Sequence, residues 1–114
     1  MITQTLTTSF KVELLQGVHN FGPTSPNTFK IALYDGTASL GADTTVYSTT
    51  NEITGTGYTA GGATLTINPS PTSGSSGGTT AYVSFNPAAW VGASFTAAGA
   101  LIYNETQGSK SVAV

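Results

Sequence analysis

The strongest constraint on how this chain can fold is its punctuation. Apolar residues alternate with small polar ones in runs of a few residues, and Gly, Pro or Asx turn chemistry cuts each run short. The clearest run covers 28–34, where Phe29, Ile31 and Leu33 point one way and Lys30, Ala32 and Tyr34 the other. Asp35-Gly36 then supplies a turn. Further strands are expected over 63–68, with Leu65 and Ile67 on the apolar face, and over 79–86, with Val83 and Phe85. A strand around Phe95 is expected over 93–97, with a short strand at 45–48. Residues 99–104 and 109–114 flank Glu-Thr-Gln-Gly and read as a hairpin.

Only residues 9–20 carry helical spacing. Phe10, Leu14 and Val18 recur at i, i+4 and i+8, Leu15 widens the stripe, and Ser9 is the expected N-cap. The stripe predicts that Phe10, Leu14 and Val18 are buried. Gly17 weakens this helix, and Gly22-Pro23 closes the segment. The 69–78 stretch (PSPTSGSSGG) is of low complexity and reads as an exposed loop. The pattern as a whole predicts a single domain over 1–114, mainly β. It suits an antiparallel β-sandwich or a jelly-roll-like barrel with one short N-terminal helix. Phe29, Ile31, Leu33, Leu65, Ile67, Val83, Phe85, Phe95, Leu101 and Tyr103 should supply the core, with Trp90 at least half buried.

Composition narrows the function classes. Charged residues make up 7% of the chain, Cys and Arg are absent, and His19 is the sole histidine. Lys11, Lys30 and Lys110 stand far apart and the net charge is −2, so neither nucleic acid nor a membrane surface is an expected partner. The start of the chain lacks the basic region and long apolar run of a secretory signal.

No residue pattern supports catalysis, and no catalytic, cofactor-binding or metal-binding residue is assigned. His19 has only Glu13 at any plausible spacing, six residues earlier and off its helical face, and reads as a helix-terminal histidine. Glu13, Asp35, Asp43, Glu52 and Glu105 are dispersed, so a glycosidase-like carboxylate pair is not indicated. A Ca²⁺ cage from Asp35, Asp43 and Glu52 lacks the DxDxDG spacing. The glycines from Gly55 to Gly62 superficially resemble a phosphate loop, but no Lys and no helix follow. Their use is conformational. Trp90 and Tyr58 could stack on sugars, although core packing accounts for them more simply.

Read in order, several strings resemble those of a known group of proteins. They are Ser9-Phe10-Lys11-Val12-Glu13-Leu14-Leu15, Thr28 to Tyr34 (TFKIALY), Leu40-Gly41-Ala42 and Thr45-Val46-Tyr47. Glu52 to Gly62 (EITGTGYTAGG) and Ala98 to Asn104 (AGALIYN) complete the set. Together they resemble a family of small virion structural proteins of tailed bacteriophages. The resemblance runs along nearly the whole chain, and Gly55–Gly62 is its most specific part. It implies a non-enzymatic virion component, as capsid cement or decoration or as a tail-associated protein. The implied partners are further copies of itself, as a homo-oligomer such as a trimer, and the major capsid protein or tail proteins.

Members of that family continue past the final strand with another Gly-containing turn and β segment, whereas this sequence closes on Ser-Val-Ala-Val. The expectation is a shortened chain, or a last sheet position filled from elsewhere. The strand over 109–114 is therefore expected at a subunit contact, its free edge open to strand addition.

Overall fold

The computed structural model describes residues 1–74 and 78–114. It is mainly β, with two antiparallel sheets and one short helix, an arrangement compatible with a β-sandwich. In chain order the elements are α1 (Thr8–Leu15), β1 (Phe29–Tyr34), β2 (Ala63–Leu65), β3 (Thr72–Gly74), β4 (Thr80–Tyr82), β5 (Gly99–Asn104) and β6 (Lys110–Ala113). The larger sheet runs β2-β1-β5-β6, and β3 and β4 form the second.

The central pair β1–β5 is in register from Phe29↔Asn104 to Tyr34↔Gly99, so opposed residues share a face. On one face Phe29 packs with Phe10, Phe21, Leu65 and Val112, with Ile31 and Ile102 against them. On the other, Ala32, Tyr34, Leu101 and Tyr103 pack with Ala38, with Ile2 and Leu40 beside them. The 28–34 alternation thus has two buried faces, and Ala32 and Tyr34 belong to a core as much as Phe29 does. Loops and the N-terminal segment cover the second face, which is why a strand that reads as half-polar is buried on both sides. Fully burying a residue such as Phe29 or Leu101 contributes about 1.5–3 kcal/mol. Leu65 and Tyr103 are also buried, while Ile31, Leu33, Ile67, Val83, Phe85, Phe95 and Trp90 are partly covered.

The helix departs most from expectation. It starts one residue earlier than Ser9, because the Thr7 hydroxyl caps it by accepting from the Phe10 N–H at 3.3 Å. It stops at Leu15 because Gly17 adopts φ +75°, in the left-handed region. Val18 N–H donates to Glu13 C=O at 3.0 Å and Gly17 N–H to Leu14 C=O at 3.2 Å, which is a Schellman closure. Gly17 is therefore the stop signal, well ahead of Gly22-Pro23. The shortened helix buries Phe10, but Leu14 is 47% exposed and Leu15 92%. Of the helix, only Phe10 joins the core cluster.

Other strands are shorter than their alternation suggests. Residues 67 and 85 meet as a single bridge, as do Thr56 with Ser94 and Val46 with Lys110, so the 93–97 and 45–48 strands reduce to one paired residue each. The 69–78 stretch is not simply a loop: Thr72–Gly74 pairs with Thr80–Tyr82, and residues 75–77 lie outside the described set.

The terminal hairpin forms as expected, with a 3-10 turn at Glu105–Gln107 and Gly108 at φ +71°. The expected open edge on β6 is corrected. Thr5 and Val114 exchange backbone hydrogen bonds of 3.0 and 2.8 Å, and Thr7 N–H donates to Val112 C=O. Ser111 N–H donates to Thr45 C=O, and Tyr47 N–H to Ser109 C=O. The chain's own N-terminus and the 45–47 segment pair along that edge, so it is not the open edge expected for strand addition.

Candidate functional site

Three features gather the side chains that could act. The first is a carboxylate enclosed by tyrosines. Glu52 follows β1 in space, where it bridges to Tyr34, with Ile53 buried beside it. Its Oε1 accepts from Tyr47 OH at 2.5 Å, and its Oε2 accepts from Tyr58 OH and, at 2.8 Å, from the Gly61 N–H. Tyr58 OH in turn accepts from Leu33 N–H at 2.9 Å, and Tyr103 OH donates to Gly61 C=O at 2.6 Å. Tyr34 OH donates to Ser48 C=O at 2.6 Å.

Burial pushes the phenols of Tyr34 and Tyr103 up to about 12, with nearby carboxylate charge adding to the effect. Tyr47 and Tyr58 are raised further, by burial first and by the Glu52 carboxylate they donate to second. These phenols are fixed donors at neutral pH, and Glu52 is a structural acceptor that ties the Gly55–Gly62 segment to the sheet. The Gly pair is required there. A Cβ on Gly62, at φ +79°, would stand 1.8 Å from the Ile31 carbonyl oxygen.

The second is a relay around His19, which is buried. Asn27 Oδ1 accepts from Asn20 N–H, and Asn104 Oδ1 accepts from Gln107 N–H, so both amide orientations are set by backbone donors. Asn104 Nδ2 then donates to Asn27 Oδ1 and to His19 Nδ1, each at 2.9 Å. That assigns the histidine proton to Nε2, which donates to Glu13 Oε1 at 2.9 Å. The expectation that Glu13 lies off the face of His19 is overturned. The helix ends at Gly17 and the chain turns back, which brings the two together. His19 acts as a clamp between α1 and β5 rather than capping the helix C-terminus.

The third is an apolar groove of about 540 Å³ between α1 and the β3–β4 hairpin. Its buried lining is Phe10, Phe21 and Val112, and its exposed rim is Leu6, Leu14, Ala81 and Tyr82. No charged side chain lines it.

The remaining carboxylates do not converge. Asp35 accepts from the N–H and hydroxyl of Thr37, and these hydrogen bonds hold its carboxyl below the ordinary range. Asp43 is exposed, and Glu105 pairs with Lys30 at 3.0 Å. Among the described residues no three His, Asp or Glu side chains gather as metal ligands, so Asp35, Asp43 and Glu52 make no Ca²⁺ cage. Trp90 packs edge-on against Phe95 and tilted against Tyr58, each at 6.1 Å between ring centroids. No helix among the described residues is long and apolar enough to cross a membrane.

Compared with family models, with curated proteins and with solved structures, the chain matches none. The sequence reading did not single out the groove, because its two sides come from segments far apart in the chain. The Glu52 and His19 clusters were equally hidden in single residues whose partners lie across loops.

Proposed function

We propose that this chain is a structural component of a tailed-bacteriophage particle, acting as a capsid cement or decoration protein through oligomeric β-domain contacts. The observation that carries the reading is the uncharged apolar groove with its exposed Leu6, Leu14 and Tyr82 rim. A surface of that kind gains free energy by being covered. The chain's polar chemistry, by contrast, is turned inward: Glu52 and His19 are engaged by neighbouring side chains and backbone.

In such a role each contact of standard size removes about 800 Å² per partner from water. Binding to the assembled shell alone stabilises that state by mass action, repeated at every copy. A tail or neck position is the alternative within the particle. A carbohydrate-binding role is less favoured, because Tyr58 OH is held by Glu52 and Leu33 and the Trp90 ring is packed on its neighbours.

Protein composition of purified particles tests the reading. Hundreds of copies per particle place the protein on the shell, and about a dozen place it in the tail or neck. Absence from purified particles of the phage that encodes it would refute the virion role.

A further inference from the structure

From Ile53 to Asn104 the chain carries no charged side chain, and this stretch supplies β2 to β5 and one side of the groove. Within it, residues 80–86 comprise β4 (Thr80–Tyr82) and the single bridge at Phe85, each paired on one side. Thr80–Tyr82 pairs with β3. Farther along, Asn68 N–H donates to Ser84 C=O at 2.7 Å and Asn86 N–H to Thr66 C=O at 2.8 Å, on either side of the Ile67–Phe85 bridge.

Those two bonds make Ile67–Phe85 the non-hydrogen-bonded kind of antiparallel pair. The N–H and C=O of Phe85 therefore point away from the 66–69 segment. Ser84 turns both its C=O and its N–H, which donates to Pro69 C=O at 3.4 Å, toward that segment, so the backbone groups of Val83, one residue earlier, fall on the outer side with those of Phe85. Neither residue has a backbone hydrogen-bond partner among the described residues. Proteins guard such edges with Lys, buried charge or Pro, and residues 79–86 (TTAYVSFN) contain none of them.

We propose that this edge is a self-association site, on which a second copy of the chain lays its own residues 80–86 antiparallel about a two-fold axis at Val83. Charge decides the occupant. In a two-fold contact each patch meets its own copy, so a charged edge would oppose like charges. This edge is neutral along its length and faces itself without that penalty. It also offers no charge to select an acidic or basic partner. Ala81, Tyr82 and Val83 belong both to this strand and to the groove lining, so the added strand covers apolar surface as well as open backbone groups. This names a partner within the assembly role proposed above, yet the two fail separately, since self-association is read on the isolated chain and virion membership on particles.

Sedimentation equilibrium of the full chain tests it, with circular dichroism to check the fold. The parent should show a reversible monomer–dimer equilibrium. The Ser84 side chain is exposed, so Ser84→Lys adds like charges near the axis without entering the core. It should abolish the dimer at concentrations where the parent dimerises, and Ser84→Glu should do the same. Mixing these two variants should restore a dimer. Val83→Pro removes an outward N–H that no internal pairing uses, and should also give a folded monomer. A parent that stays monomeric up to millimolar concentration would overturn the proposal. So would a dimer that survives all three substitutions, or a Lys/Glu mixture that stays monomeric.

Discussion

Replacing Glu52 separates two ways in which a half-buried carboxylate can matter. Its oxygens accept from Tyr47 OH, Tyr58 OH and Gly61 N–H. Glu52→Gln can keep most of this arrangement. With its carbonyl oxygen turned to Tyr58 and Gly61, the amide donates to Tyr47, whose hydroxyl rotates to accept. The loss is the charge assistance on three part-buried bonds, about 1–2 kcal/mol in total. Glu52→Leu removes every acceptor. Tyr58 OH has its lone-pair side occupied by Leu33 N–H, and Gly61 N–H has no recorded alternative. Each of these two donors left unsatisfied costs about 1–3 kcal/mol, so Glu52→Leu should cost about 2–6 kcal/mol. That is a large part of the 5–15 kcal/mol stability typical of such a domain. Urea unfolding followed by tyrosine and tryptophan fluorescence measures both variants. The melting temperature should fall by about 4 °C per kcal/mol for a chain of this size. If Glu52→Leu proves no more destabilising than Glu52→Gln, the carboxylate is not the acceptor that holds the Gly55–Gly62 segment.

Two further outcomes follow from the same region. Gly62→Ala forces a Cβ to 1.8 Å from the Ile31 carbonyl oxygen at φ +79°, whereas on Gly61, at φ +97°, the nearest atom is 3.6 Å away. Gly62→Ala should therefore cost upward of about 3 kcal/mol and Gly61→Ala about 1–2 kcal/mol, and equal losses in urea titrations would contradict the close approach. The phenols of Tyr34 and Tyr103, raised from 10.0 to about 12 chiefly by burial, make the fold sensitive to alkali. Their neutral forms are favoured in the folded state, so this stability is fully present below pH 10 and is lost as pH rises towards 12, on the order of 2–3 kcal/mol per tyrosine. Unfolding free energies that stay flat across that window, measured at fixed ionic strength, would remove the argument.

What could be read from the sequence was local, and what escaped it was set by contacts across the chain. The 28–34 and 99–104 strands and the hairpin to 110–113 were legible because alternation and turn residues lie within one window. Period-2 alternation shows that a strand has two different faces, but not that Ala32 and Tyr34 are covered by loops on the second. The i, i+4, i+8 stripe continued past Gly17, yet one glycine in the left-handed region ended the helix and left Leu14 on a groove rim. Closure of β6 depended on residues 5–7, which carry no strand signal of their own, and on 45–47, where a short strand was legible but its partner across the chain was not. The polar clusters were least legible. Glu52 looked isolated because its partners are tyrosines and a backbone amide, which carry no spacing code, and the Glu13–His19 pair was hidden because it forms only where the helix stops at Gly17.

The use made of the few charges links fold to function. Glu52 is taken up by tyrosines, Glu13 by His19, Lys30 by Glu105 and Asp35 by its own turn. Glu52 and the Glu13–His19 pair fasten a loop and the helix to the sheet, Lys30 pairs with the turn after β5, and Asp35 closes its own turn. The charges near Lys11, Asp43 and Lys110 lie outside the stretch from Ile53 to Asn104. That half of the molecule holds the open 80–86 edge and one side of the groove, and has no charge of its own to keep neighbours apart. A freely diffusing monomer needs interspersed charge to resist edge-to-edge association. Here the charges secure the fold and leave the other half neutral, which is the arrangement that the proposed self-association requires.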